Sequence, residues 1–181
     1  ILPQNPQSLF VHETLRDDLE EVLILRNIDK EKIKEEIEKV SKLLNIVDLQ
    51  ENHPYDLSGG ELQRAGLAKI MLLNPSIILL DEPTKGLDAH HKEDIANVLI
   101  KLKERGLTLV IVSHDIEFSA RYSDRCAMFF DGTVVSESSP RKFFNGNSFY
   151  TTVANRISRG IFEDAILYED IVDLCKLNLI K

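Results

Sequence analysis

Two short apolar runs separated by one amphipathic helix constrain the fold of this chain most strongly. The runs span Ile77 to Leu80 and Leu107 to Val112, and neither alternates polar with apolar residues, which is typical of parallel strands buried on both faces. Between them, apolar residues recur at the spacing of one helix face, namely Ile95, Val98, Leu99 and Leu102. Strand, helix and strand in this order predict a right-handed βαβ unit of an α/β fold.

Polar residues follow each predicted strand at its carboxyl end. Asp81 and Glu82 come directly after the first strand, and His114 follows the second. Open α/β sheets bind their ligands at this edge, so we expect the three side chains to meet there. Asp88 is a predicted N-cap of the intervening helix.

The segment Leu57–Gln63 reads LSGGELQ and starts another predicted helix. Ser58 and Glu61 have the spacing of a capping box, which indicates an ordinary helix start. Gly59 and Gly60 also leave backbone N–H groups open to a phosphate at the positive end of the helix. Because no lysine follows these glycines, the segment could complete a phosphate site but not form one alone.

Composition excludes some classes of protein. The 181 residues carry a formal net charge of −8, which gives no general attraction for nucleic acid or anionic lipid. The apolar runs are too short to span a bilayer. Cys126 and Cys175 have neither disulfide-framework nor zinc-site spacing and are expected to be thiols.

The remaining segments predict mostly helical structure around one hairpin. From Thr14 to about Val47 the pattern predicts a lobe of two or three helices, with Asp29 as an N-cap. Asp131 and Gly132 lie between two apolar runs and predict a two-residue hairpin turn. The segment after Pro140 is partly helical, carries no chemical motif, and is interpreted as a packing or dimerisation appendage.

Five motifs agree in order and separation with one known family. Together they resemble the nucleotide-binding domain of ABC ATPases over residues 1 to about 137: Gln4 in a proline-flanked loop, LSGGELQ at 57–63, IILLDEP at 77–83, GLD at 86–88 and SHD at 113–115. The resemblance implies part of a P-loop NTPase fold. Its expected parts are the Q-loop and helical lobe (1–75), the Walker B and H-loop part of the core (76–138), and a C-terminal helical appendage (139–181).

The resemblance also implies roles for individual residues and two cofactors, ATP and Mg²⁺. Asp81 and Gln4 would hold the metal ion, Glu82 would orient or deprotonate the attacking water, and His114 would sense the γ-phosphate. Gln4 would also touch that water. The expected nucleotide-binding residues are Ser58, Gly59, Gly60, Gln63 and Asp88, of which the signature residues 58–60 would meet ATP held by a second subunit.

The family's Walker A loop is expected to precede Gln4. We therefore interpret the sequence as a carboxyl-terminal part of the domain and expect these residues alone to be inactive as an ATPase, while the parent protein hydrolyses ATP.

The motif EPTKGLD and the appendage are similar to the ATPases of energy-coupling factor and cobalt-type importers, which take up vitamins or metal ions. A soluble ABC ATPase that acts on ribosomes or DNA is the alternative. The expected partners are a second ABC ATPase subunit in a head-to-tail dimer and a transmembrane subunit docked on Gln4 to Leu15, with no nucleic acid. The expected location is the cytoplasmic face of the membrane.

Overall fold

The computed structural model describes residues 1–162 and 164–179 and divides into two compact units, Ile1–Ser113 and His114–Lys181. Each unit is described by itself. The three-part division predicted from the family roles is a different partition of the chain and stays a prediction. Within the described residues, no helix combines the length and apolar character that crossing a membrane requires.

The first unit contains four helices and two strands. In chain order these are α1 (Leu15–Leu25), α2 (Lys30–Leu44), α3 (Gly59–Met71), β1 (Ile77–Asp81), α4 (Ala89–Glu104) and β2 (Thr108–Val112). Three short 3-10 helices lie at Pro6–Leu9, Val47–Leu49 and Pro54–Asp56. The predicted helical lobe is α1 and α2, which pack on each other and on α3.

The predicted βαβ unit is confirmed. β1 pairs in parallel with β2, from Ile77 opposite Thr108 to Asp81 opposite Val112. On the other side of β1, Leu2 forms an isolated parallel bridge with Leu80.

The expected burial of both sheet faces is wrong. Ile78 and Leu80 are 0% and 1% exposed, whereas Ile77 and Leu79 are 59% and 41% exposed. Within the described part of this unit, packed side chains cover only one face of the sheet, so alternate residues of β1 remain accessible.

Side-chain caps begin α1 and α4 but not α2. The Thr14 side chain caps α1 by accepting a hydrogen bond from the Asp17 N–H, and Asp88 caps α4 by accepting from the His91 N–H. Asp29 lies at the N-cap position of α2, but its side chain makes no capping hydrogen bond. The carboxylate instead lies 3.2 Å from Lys32 Nζ.

The second unit joins a hairpin to short helices. Its elements are α5 (Ile116–Tyr122), β3 (Cys126–Phe130), β4 (Thr133–Ser138), α6 (Pro140–Asn145), α7 (Val153–Ser158) and α8 (Tyr168–Leu179). The hairpin turn is confirmed, since Asp131 and Gly132 have φ values of 46° and 76°, as a type I′ turn requires. The small core of the second unit contains Ala120, Cys126, Phe144 and Ile166.

Candidate functional site

Asp81 and Glu82 emerge at the carboxyl end of β1 with different surroundings. Asp81 is exposed, and its backbone N–H donates to Leu2 O at 3.0 Å. Glu82 is only 9% exposed, and its backbone N–H donates to Val112 O at 2.8 Å. The chain therefore presents one accessible and one sheltered carboxylate side by side.

The backbone of Glu82 is strained. Its φ is 49°, in the left-handed region that a glutamate rarely adopts, and such strain concentrates at functional sites. The Ser113 hydroxyl donates to Glu82 Oε2 at 3.3 Å from the end of β2. Ser113 was not predicted to act on Glu82, although its position after a parallel strand is the signal that could have indicated it.

Gln4 lies at the same edge of the sheet. Leu2 donates its N–H to Leu79 O at 2.8 Å and pairs in parallel with Leu80. Because the two segments run in parallel, Gln4 lies two residues beyond Leu2 toward the same edge as Glu82, which lies two residues beyond Leu80. The side chain of Gln4 is exposed. The structure thus brings Gln4, Asp81 and Glu82 to one edge.

The capping box at the start of α3 is confirmed. The Ser58 hydroxyl accepts from the Glu61 N–H at 3.4 Å and donates to Glu61 Oε2 at 2.7 Å, while the Ser58 N–H donates to the same oxygen at 2.8 Å. The hydroxyl and then the backbone N–H of Ser58 hold the pKa of Glu61 below its ordinary value. Ser58 and Glu61 therefore form an ordinary helix start, and the contact of this segment with a phosphate stays a prediction.

The signature glycines pack against the start of α4. A Cβ added to Gly59 would lie 3.3 Å from Leu87 Cδ2, and one added to Gly60 would lie 2.9 Å from His91 Cδ2. The His91 N–H and ring Nδ1 are each 2.9 Å from Asp88 Oδ1, and the backbone and ring contacts hold the pKa of Asp88 below its ordinary value. His91 thus joins two of the predicted motifs, and sequence reasoning missed it.

Gln63 and His114 are the remaining residues of the predicted site. Gln63 is 4% exposed on α3, and its Oε1 makes no hydrogen bond with the described residues. His114 is the exposed first residue of the second unit, just before α5, which Asp115 caps by accepting from the Phe118 N–H. Their nucleotide contacts, and the meeting of His114 with the carboxylates, stay predictions.

Residues 1–85 match the family model described as ABC transporter. A putative ABC transporter ATP-binding protein of Bacillus anthracis is 41% identical over 177 residues, which are 98% of this chain and 32% of that protein. The chain belongs to the ABC transporter ATP-binding proteins. It spans about a third of the length of that Bacillus relative. The energy-coupling factor transporter ATP-binding protein EcfA1 of Mycoplasma pneumoniae is 33% identical, over 80% of this chain and 53% of that protein.

Two solved structures show that this ABC chain has the fold that the motifs imply. CbiO1 of Clostridium perfringens, part of the ABC transporter complex CbiONQ, superposes with a TM-score of 0.77 at 23% identity, over 97% of this chain and 66% of its own. An ATP-binding cassette solved as a dimer in a post-hydrolysis state with ADP and Pi has a TM-score of 0.65 at 31% identity, over 76% and 61%. The predicted P-loop NTPase fold class is confirmed.

Proposed function

We propose that this protein is the ATP-hydrolysing subunit of an ABC-type membrane importer. The observation that carries the proposal is the pair of carboxylates at the end of β1, where Glu82 is sheltered, strained and hydrogen-bonded by Ser113. Phosphoryl transfer is catalysed mainly by positioning and charge neutralisation, and a fixed carboxylate beside an accessible one is suited to both.

Asp81 and Gln4 would hold Mg²⁺. Both side chains are exposed at the same sheet edge and offer oxygen atoms, which are the ligands that Mg²⁺ prefers, one or two from protein and the rest from water and phosphate. The donor set therefore fits this ion. When bound, Mg²⁺ would neutralise the charge of the nucleotide phosphates.

Glu82 would act on the attacking water. Its carboxylate is held from one side by the Ser113 hydroxyl, so it can accept a proton or orient water without first changing position. His114 would donate a hydrogen bond to the γ-phosphate from the segment after β2.

Ser58, Gly59 and Gly60 would serve a nucleotide held by a second subunit. Gln63 and Asp88 would be further nucleotide-binding residues, with Asp88 at the interface between the two subunits. The exposed Ser58 and Gly59 lie at the positive end of α3, where backbone N–H groups favour phosphate. Because the start of α3 would contact a nucleotide bound by another subunit, the two subunits must pair head to tail with two-fold symmetry. The dimeric relative with ADP and Pi supports this pairing.

The transported substrate class is proposed from the relatives. The similarity to an energy-coupling factor ATPase, at 33% identity, supports an importer of vitamins or metal ions rather than an ATPase that acts on ribosomes or DNA. The subunit would then lie peripherally on the cytoplasmic face of the membrane.

The surface from Gln4 to Leu15 would dock the transmembrane subunit. Val11 is 75% exposed in this segment, and Glu13 is exposed beside it. Asp17 is a poorer probe of docking than Glu13, because the Asp17 carboxylate accepts a hydrogen bond from the Thr14 hydroxyl at 2.6 Å.

The hydrolytic role is tested with Glu82→Gln in the full-length protein. We expect phosphate release to fall by roughly 100-fold or more, because a positioned acid or base typically contributes about 100- to 10,000-fold, while ATP binding by equilibrium dialysis is retained. Glu104→Gln, an exposed position at the end of α4, is the control. Hydrolysis by Glu82→Gln at the normal rate would refute the proposal.

Docking is tested separately with Glu13→Lys. We expect co-purification with the transmembrane subunit to decrease, while ATPase activity of the isolated full-length protein is unchanged. Glu104→Lys should leave both intact. Unchanged co-purification of Glu13→Lys would remove this segment from the docking surface.

A further inference from the structure

The ammonium group of Lys69, near the end of α3, is enclosed by groups from two other segments. Its Nζ donates to Asp18 Oδ1 at 2.5 Å and to Leu9 O at 2.7 Å. Glu21 Oε2 is 3.9 Å away, and the Phe10 ring centroid is 5.6 Å away. The Lys69 side chain is only 15% exposed, so this is an ion pair largely removed from water.

Asp18 on α1 binds the same segment through its backbone. It is 0% exposed, and its carboxylate accepts from the Val11 N–H at 3.1 Å and the His12 N–H at 3.2 Å. Burial raises the pKa of Asp18, but the hydrogen bonds from Lys69, Val11 and His12 together hold it below its ordinary value.

The resulting cluster already contains its cation. Ligand atoms of His12, Asp18 and Glu21 lie within 4.8 Å of one another, a spacing that a metal ion could also use. Because Lys69 Nζ is bonded to Asp18 and is 3.9 Å from Glu21, the ammonium supplies the positive charge there. The cluster is therefore a structural ion-pair network that joins α1, α3 and the segment Leu9–His12.

The same helix also packs on both sides of Gln4. A Cβ added to Gly66, in the middle of α3, would lie 2.7 Å from Leu2 Cδ1, 3.2 Å from Pro6 Cβ and 3.5 Å from Leu9 Cδ1. Gly66 therefore allows α3 to lie directly against the chain before and after Gln4. Lys69, near the end of α3, binds the Gln4 segment at Leu9. Ser58 caps the beginning of α3.

We propose that Lys69 and Asp18 are positioning residues for ATP hydrolysis, which fix the segment carrying Gln4 to the helix that begins at Ser58. The inference rests on the function proposed above. A buried ion pair contributes little net stability compared with apolar packing. Here its short contacts join the segment Leu9–His12 to both α1 and α3. These contacts therefore link Gln4, which is expected at the attacking water, with Ser58 to Gly60, which are expected at the second subunit's nucleotide.

The test is a double-mutant cycle on ATPase activity of the full-length protein, with Gln4→Ala and Lys69→Met. We expect Lys69→Met to lower kcat by about 10-fold, within the range caused by small misplacement of a reacting group, with KM for ATP little changed. If Lys69 acts through Gln4, Lys69→Met should have little further effect once Gln4 is alanine.

Two more variants separate positioning from folding. Lys69→Arg keeps a cation that can reach Asp18 and Leu9 and should restore most of kcat. Asp18→Asn keeps the shape and should reproduce the loss of Lys69→Met, with both variants assayed below their unfolding temperatures so that the loss of kcat is not a loss of folded protein. Arg16→Met, which breaks an exposed ion pair of 2.7 Å with Glu51, is the matched control and should act independently of Gln4→Ala.

The outcomes are distinguishable. Independent, multiplying effects of Lys69→Met and Gln4→Ala, or a normal kcat in both Lys69→Met and Asp18→Asn, would overturn the positioning role while leaving the proposed function intact. Full activity of Glu82→Gln would instead overturn the proposed function itself.

Discussion

The imidazole of His91 lies directly against Gly60, so that a Cβ at residue 60 would be 2.9 Å from His91 Cδ2 and 3.5 Å from its Cβ. The ring is held in this position because its Nδ1 and the His91 N–H both contact Asp88 Oδ1 at 2.9 Å. Two motifs that are expected at the dimer interface are therefore in contact within one subunit, through a residue that belongs to neither.

This contact predicts that Gly60→Ala destabilises the protein through His91. Overpacking typically costs about 1–3 kcal/mol, so the unfolding temperature should fall by several degrees. In the His91→Ala background, the same change should be neutral or stabilising, since alanine favours a helix more than glycine does. Thermal unfolding of the four full-length variants measures this. An equal loss in both backgrounds would show that His91 is not the cause.

The strained backbone of Glu82 predicts that a substitution there can raise the stability of the protein while abolishing ATP hydrolysis. Its φ of 49° suits asparagine better than glutamate, so Glu82→Asn should raise the stability by up to about 1 kcal/mol while hydrolysis is lost. Glu82→Gln keeps the unfavourable backbone preference and is the matched control, with loss of activity and no gain in unfolding temperature. An Asn variant no more stable than the Gln variant would contradict this account of the strain.

The sequence predicted most accurately those features that depend on neighbouring residues. The capping box of Ser58 and Glu61 and the Asp131–Gly132 turn are local patterns, and the structure confirms both. Expected burial failed at Ile77, because an apolar run specifies a strand but not which faces are covered.

Features formed by distant residues were not predicted. The ion pair of Lys69 and Asp18 joins positions 51 residues apart, and no periodic pattern links them. Likewise, nothing in the sequence indicated the left-handed backbone of Glu82, which depends on how the turn after β1 is held.

Glu61 predicts an effect on nucleotide affinity. Its carboxylate accepts from the Ser58 hydroxyl and lies in the first turn of α3, so it repels a phosphate at the same helix start. Glu61→Gln retains an oxygen for the capping box but removes the charge, and should lower KM for ATP by about 2- to 5-fold, equivalent to the 0.3–1 kcal/mol of one charge at a helix end. Steady-state kinetics of the full-length protein measure this change.

Glu61→Ala is the control for that prediction. It removes the charge and also the capping acceptor for the Ser58 N–H, which is 2.8 Å from Oε2. Its unfolding temperature should fall, whereas that of Glu61→Gln should not. A KM that is unchanged or higher in Glu61→Gln would indicate that the start of α3 does not approach the nucleotide.

Asp18 predicts a stability difference that depends on pH. Hydrogen bonds from Lys69, Val11 and His12 outweigh burial and hold the pKa of Asp18 below its ordinary value of 3.8. A group whose pKa is lowered by folding contributes stability that is fully present above the unfolded pKa and is lost as the pH falls through the folded pKa. Asp18→Asn should therefore be destabilised by about 3 kcal/mol at pH 7, as for a broken buried pair.

The difference in unfolding temperature between wild type and Asp18→Asn should shrink below pH 3.8, where the carboxylate of the unfolded chain is protonated. Glu35→Gln is the control, because Lys39 lowers the pKa of Glu35 in an exposed helix pair that solvent screens. That variant should differ little from wild type at any pH. A constant gap for Asp18→Asn down to pH 2 would mean that packing around the side chain, rather than its charge, stabilises the segment Leu9–His12 against α3.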